Sequence, residues 1–309
     1  MKTIMHRFMC LFVAIAGIVC AFAAQAAYDF TTVDYPGADN TDFRDINNSG
    51  QIVGNAFFAD GSVVSFTYDS KKKTFTTLAP VPGSIVTFLL GINESGEIVG
   101  GVDDGTQESG AILDKKGSYT IFQHPGFDGA EARGVGPSGL VTGFAFGAAG
   151  TTGFIYDPRS NHFTDFLPTP VGLVTIPRGI NGRGQVVGSA DVPGGPAGDA
   201  TYGFLRDPGG AITLFLVNDQ ATAGRGITDA GLIAGFIVTE DGGVSGFVGS
   251  LSGSSSFQSL TIPASGLLNV PGAVATIAQG INNAGVVAGY WFDADGFQHA
   301  YFATPSKGK

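Results

Sequence analysis

The chain has 309 residues, a formal net charge of −10, 49 glycines and only 14% charged side chains. An acidic chain repels nucleic acid and anionic bilayers, so neither is expected as a partner. The two cysteines, Cys10 and Cys20, both lie near the start, which excludes a disulfide framework and thiolate chemistry for the rest of the chain.

The first segment reads as an export signal. Lys2 and Arg7 form a short basic stretch, Phe8 to Ala23 is almost wholly apolar, and Ala24-Gln25-Ala26 supplies the small residues a signal peptidase accepts. Cleavage is expected before Ala27, making residues 1–26 the signal and residues 27–309 a single domain. The apolar run falls short of the roughly 20 residues of a bilayer-spanning helix. A lipoprotein signal would use Cys20, but bulky Val19 stands where a small residue belongs. The mature chain keeps 14 basic against 26 acidic side chains, a net charge of −12. The expected product is secreted, extracellular or periplasmic, monomeric, and not inserted in a membrane after cleavage.

Phe30-Thr31-Thr32-Val33-Asp34-Tyr35-Pro36-Gly37 then reads as a strand stopped by Pro-Gly. Six units follow, each opening on a variant of Gly-Ile-Asn-x-x-Gly-x-Val-Val-Gly. The clearest copies are Gly91-Ile92-Asn93 to Gly100, Gly179-Ile180-Asn181 to Gly188, and Gly280-Ile281-Asn282 to Gly289. The turn glycines at 50, 96, 139, 184, 231 and 285 are spaced like four-stranded propeller blades. Asn-x-x-Gly fits a hairpin in which the Asn side chain caps the bend and the Gly takes a positive φ. The short apolar runs after it, such as Ile52-Val53 and Val286-Val287, suit strands buried on both faces. Acidic turns follow (Asp60-Gly61, Asp104-Gly105, Asp241-Gly242, Asp295-Gly296), then an aromatic third strand, as in Phe66-Thr67-Tyr68 or Tyr301-Phe302. A fourth strand ends most units: Phe75-Thr76-Thr77-Leu78, Tyr119-Thr120-Ile121-Phe122 and Phe163-Thr164-Asp165-Phe166. The sixth unit stops after three strands, and the segment from Phe30 is a spare copy of the fourth. The predicted fold is therefore all-β: a six-bladed β-propeller of four-stranded blades, closed by the N-terminal strand completing the last blade.

These units resemble the HAF-type extracellular repeat family of bacterial secreted and surface proteins. The likeness rests on the Gly-Ile-Asn-x-x-Gly-x-Val-Val-Gly variants and the Phe-Thr-Thr-(Val/Leu) strands with a downstream Pro-Gly; His299 sits where that family often has His before Gly-Phe, while the other five units have Val64, Ser109, Thr152, Tyr202 and Ser245 near that place. It covers essentially the whole mature chain and implies export and a repeat architecture. It implies no activity.

Little chemistry is written in the motifs. His124, His162 and His299 occupy different places in the repeat, so neither a metal site nor a triad is expected, and no cofactor motif appears. Asp293-Ala294-Asp295-Gly296 lacks the distal Glu of a calcium loop. One constellation stands apart. The residue before each Gly-Ile-Asn is Arg44, Leu90, Arg133, Arg178, Arg225 and Gln279. First strands of blades border a propeller's channel, so Arg44, Arg133, Arg178, Arg225 and Gln279 are the candidate ligand-binding residues. An incomplete guanidinium ring suits carboxylate, sulfate or phosphate. The structural alternative is that each Arg bridges backbone carbonyls or nearby Asp42, Asp45 or Glu131. Charge is also expected to segregate, with acidic second-to-third-strand turns on one face and Lys71, Lys72, Lys73, Lys115, Lys116 and Arg159 on the other.

The function expected from these features is a secreted or cell-surface binding module for a glycan, peptide or small anion at the central channel. Two alternatives stand beside it: a carbohydrate-active enzyme using acidic loop residues, and a structural cell-envelope protein.

Overall fold

Every regular element among the described residues is a β-strand. The computed structural model describes residues 28–148, 150–167, 174–195, 198–251, 260–262, 267–268 and 270–306. The expected signal, residues 1–26, lies outside the described residues.

The first unit is a four-stranded antiparallel meander: β2 (Asn40–Ile46), β3 (Gln51–Phe57), β4 (Val63–Asp69) and β5 (Thr74–Thr77). The second repeats it with β6 (Val86–Ile92), β7 (Ile98–Asp103), β8 (Glu108–Leu113) and β9 (Tyr119–Phe122). The third is β10 (Gly129–Val135), β11 (Val141–Gly147), β12 (Gly150–Asp157) and β13 (His162–Phe166). The fourth comprises β14 (Thr175–Ile180), β15 (Val186–Gly195), β16 (Gly198–Arg206) and β17 (Ile212–Val217), with β21 (Leu260–Ile262) added parallel to β17. The remaining eight strands form one sheet: β18 (Ala221–Ile227), β19 (Leu232–Val238), β20 (Val244–Ser250), β22 (Leu267–Leu268), β23 (Ala275–Ile281), β24 (Val287–Phe292), β25 (Gln298–Pro305) and β1 (Tyr28–Thr32).

The arrangement is thus all-β, small meanders set as in a β-propeller, but six separate four-stranded sheets are not what the hydrogen bonding gives. Four sheets stand as separate blades, and the last two sequence units share a fifth. The cause is the long 54-residue step between Gly231 and Gly285. After β20 the chain crosses to the outer edge of the neighbouring sheet as β21, then returns as the two-residue β22 against Gly246 and Phe247. The Val244 end of β20 is left open, and Ala275 of β23 bonds to it in parallel. At the chain's start, β1 pairs antiparallel with β25 from Tyr28↔Pro305 to Thr32↔Tyr301.

Packing follows the repeat. The leading strands touch in sequence and in a cycle: β2 with β6, β6 with β10, β10 with β14, β14 with β18, β18 with β23, and β23 with β2. Among the described residues six apolar clusters lie between neighbouring units. Val53 of the first unit joins Leu89, Ile92 and Ile98 of the second, and Ala288 and Ala300 join Phe43, Ile52 and Phe66. Phe66, Phe154, Phe204, Phe247 and Tyr301, the expected third-strand aromatics, are fully buried. Each contributes about 1.5–3 kcal/mol on burial.

The motif residues have two jobs. The turn glycines take left-handed φ, from +74° at Gly184 to +86° at Gly50 and Gly231. The Asn side chain does cap the turn: Asn93 Oδ1 accepts from the Ser95 and Glu97 amides. Its Nδ2 also donates to the Gly136 carbonyl of the next unit at 3.1 Å. Asn47, Asn181 and Asn282 make the same bond to Asn93, Thr228 and Asn47. One amide therefore closes a turn and joins two units.

Candidate functional site

The leading strands share an irregularity that no motif announces. Each carries a β-bulge against its second strand, between Phe43/Asp45, Leu89/Gly91, Ala132/Gly134, Pro177/Gly179, Gly224/Gly226 and Ala278/Gly280. The extra residue is Arg44, Leu90, Arg133, Arg178, Arg225 or Gln279. A bulge leaves one residue unpaired and re-aims its side chain. All six of these residues line one cavity with Asp45 and Gly179. The structure therefore brings together every residue expected to form the site. The bulge explains the repeat's last glycine as well. A Cβ at Gly54, Gly100, Gly143, Gly188, Gly235 or Gly289 would overlap a leading-strand carbonyl oxygen.

The collar is narrow. Its cavity holds about 20 Å³, room for a water or one small polyatomic group and too little for a sugar ring. On the Asn-x-x-Gly side it meets a second cavity of about 70 Å³, bordered by Asn93, Asn181, Asn282, Glu94 and Asp229. Asp45 and Gly179 line both.

Charge in the collar is not balanced within the protein. Arg44 pairs with fully buried Asp42, and Arg133 Nη2 donates to Glu131 Oε2 at 2.6 Å. These are two of the three carboxylates expected as structural partners. The third, Asp45, turns its oxygens to the amides of Ile46 and Ile92 at 2.9 and 3.0 Å. Burial pushes the Asp45 carboxyl up to about 7. Among the described residues, neither Arg178 nor Arg225 has a carboxylate partner or a hydrogen-bond acceptor. Arg225 lies over the Phe236 ring, 4.8 Å from its centroid. The Nε atoms of all four arginines are buried without a hydrogen-bond partner. Gln279, only 6% exposed, has an orphaned Nε2.

The guanidiniums register this environment. Burial lowers Arg44 but Asp42 overcomes it, so the net direction is upward. Burial outweighs Glu131 at Arg133, which is lowered. Burial and neighbouring guanidiniums push Arg225 down to about 9 and Arg178 well below its usual value. Arginine stays protonated in proteins, so these directions describe partly buried positive charge that no carboxylate pairs with at Arg178 and Arg225. Unpaired buried charge is costly, and a bound anion would relieve it.

The other expected features place differently. His124 Nε2 meets Asp165 at 2.7 Å among Phe127, Phe154 and Phe163. His299 sits in the last hairpin. Among the described residues no group of three or more His, Cys, Asp or Glu is arranged to hold a metal. The leading-strand threonines are staples: Thr41, Thr87 and Thr222 Oγ1 accept the amides of Tyr35, Val81 and Val217, fixing the loop entering each unit. The face expected to be basic is mixed. Its lysine turns are capped by Asp69 and Asp114, which accept the Lys72 and Lys116 amides. The bulges were beyond sequence reasoning, whereas Asp42 and Glu131 were legible as possible partners of the arginines. The periodic arginine before Gly was the one available signal.

Meanders arranged with their leading strands around a shared axis define the class: this is a β-propeller. No known protein family matches the chain, and no curated protein matches it. Similar solved structures share the fold at low identity. TolB from Acinetobacter baumannii has a TM-score of 0.53 and 11% identity, over 69% of this chain and 52% of that one. A luciferin-regenerating enzyme has a TM-score of 0.53 and 11% identity, over 90% of this chain and 95% of that one. The chain spans about half the length of the TolB chain. At such identity the likeness concerns the fold alone.

Proposed function

We propose that the protein is an exported six-bladed β-propeller that binds a small anion, or the anionic tip of a larger glycan or peptide, in the arginine collar. On this reading the eight-stranded sheet counts as two blades joined at the Val244–Ala275 bridge, with β22 paired to β20 of the fifth and β1 completing the last. The cyclic contacts of the leading strands support the count. Export rests on the basic, apolar and Ala-Gln-Ala succession of residues 1–26. The observation that carries the binding function is the pair Arg178 and Arg225, two partly buried guanidiniums with no carboxylate paired to either among the described residues, beside the orphaned amide of Gln279.

Calorimetric titration with sulfate, phosphate and acetate tests it. The wild type should bind at least one, and Arg178→Met should weaken that binding by about tenfold or more, the loss of one charge-assisted pair. The same change should raise the thermal midpoint in anion-free buffer, because a partly buried charge with no paired carboxylate is replaced by apolar volume. Unchanged binding with a lowered midpoint would assign Arg178 a structural role and remove the proposal.

A further inference from the structure

A second group of ionisable side chains adjoins the collar between the second and third units. Glu131 leaves β10 two residues before Arg133 and is 9% exposed. Glu108, the first residue of β8, comes up beside it. The space for two carboxyl groups exists because position 101 is glycine. A Cβ there would lie 3.0 Å from Glu131 Cγ and 3.5 Å from Glu108 Oε1. The equivalent second-strand positions elsewhere hold Asn55, Phe144, Ser189, Phe236 and Tyr290.

Resting on the anion-site reading above, we propose that the collar takes its anion together with one proton, which is held by the Glu108–Glu131 carboxyl pair. The pair is wired to the site by geometry. Glu131 holds Arg133, whose orphaned Nε lies at the collar, and its charge is felt by Arg178 and Arg44. The groups facing the pair are Arg133 on β10, Asp103 on β7, and Arg44 and Arg178 on the flanking leading strands. Two carboxylates side by side do not both ionise readily. Burial first, and then Glu131, push Glu108 up to about 7. Gln279 marks the collar as incomplete, since its buried amide nitrogen lacks an acceptor until a ligand arrives.

Coupling then runs both ways. An anion against Arg133 and Arg178 adds negative charge near the pair and raises its hold on the proton. Protonation removes a competing charge and loosens Glu131's grip on Arg133. The proton comes from bulk water and rests on a carboxylate oxygen, and no other bond changes. Asp45 is the rival acid, because it also titrates near neutrality and lines the cavity. Its oxygens face the Ile46 and Ile92 amides rather than a guanidinium.

Sulfate, which takes no proton near neutrality, is the probe. Calorimetry of the full-length mature protein at pH 7, in buffers of different ionisation enthalpy, reads the protons taken up per sulfate. A fraction of one proton is expected, with affinity weakening by up to about tenfold per pH unit above 7. Glu108→Gln, nearly isosteric, should bind sulfate with no proton uptake and a flat pH profile, while Asp45→Asn keeps the uptake. Binding without uptake in the wild type, or uptake that survives Glu108→Gln and vanishes in Asp45→Asn, overturns the proton-coupled site and leaves the arginine collar standing. Absence of sulfate binding from pH 5.5 to 8.5 overturns this proposal, and loss of phosphate and acetate binding as well overturns the collar.

Discussion

His299 lies between two carboxylates: Nδ1 is 2.9 Å from Asp34 and Nε2 is 3.4 Å from Asp293, with the ring stacked on Trp291. Burial pulls its affinity for a proton down, but Asp34 and Asp293 prevail and the imidazolium is favoured. Asp34 follows β1, so this charge links the first segment to the last hairpin. A histidine whose folded value is raised stabilises fully below its unfolded value of about 6.5, and the contribution fades as pH rises through the folded value. The thermal midpoint of the wild type should therefore exceed that of His299→Gln by more at pH 5.5 than at pH 8.5. A gap that is constant with pH would exclude the ion pair as its source. His299 was visible in the sequence as a residue of the last repeat. Its two acidic partners were not, because Asp34 is 265 residues away along the chain.

The bulged leading strand is the element on which the site depends. Its geometry brings the second strand so close that a methyl group at Gly143 would strike the Glu131 carbonyl and the Phe154 ring. Gly37, in a surface turn at φ +81°, has nothing within 4 Å of a would-be Cβ. The same substitution should then have two sizes. Gly143→Ala should lose about 3 kcal/mol from overpacking a buried strand pair, and Gly37→Ala only about 1 kcal/mol from backbone strain. Denaturant unfolding of both variants measures the difference, and equal losses would contradict the close approach. From the sequence the strands, their order and the turn residues were readable. Short apolar runs and Asn-x-x-Gly turns act within a few residues of the chain. The bulge was not readable, since it depends on how two strands pair and not on which residues form them. The collar's membership was nevertheless recovered, because a repeat puts equivalent residues in equivalent places whatever the local geometry.

For the molecule as a whole, the pairing of β1 with β25 covers a strand that would otherwise present free amides and carbonyls. Phe30 packs on Tyr301 at 5.5 Å, and Val33 donates to the Ala300 carbonyl at 2.9 Å. A chain shortened to begin at Tyr35 should show a lower thermal midpoint and concentration-dependent association by size-exclusion chromatography. A monomer of unchanged stability would mean that β25 needs no cover. What the sequence determined alone was the all-β class, the six-fold repeat, the turn chemistry and the ring position of the arginines, all consequences of local propensity and periodicity. Only the tertiary structure decided that Arg44 and Arg133 are neutralised while Arg178 and Arg225 are not, that the last two units share one sheet, and that Glu108 meets Glu131. Those outcomes depend on which strands lie side by side across units, and contacts between distant segments form through packing that no stretch of the chain encodes by itself.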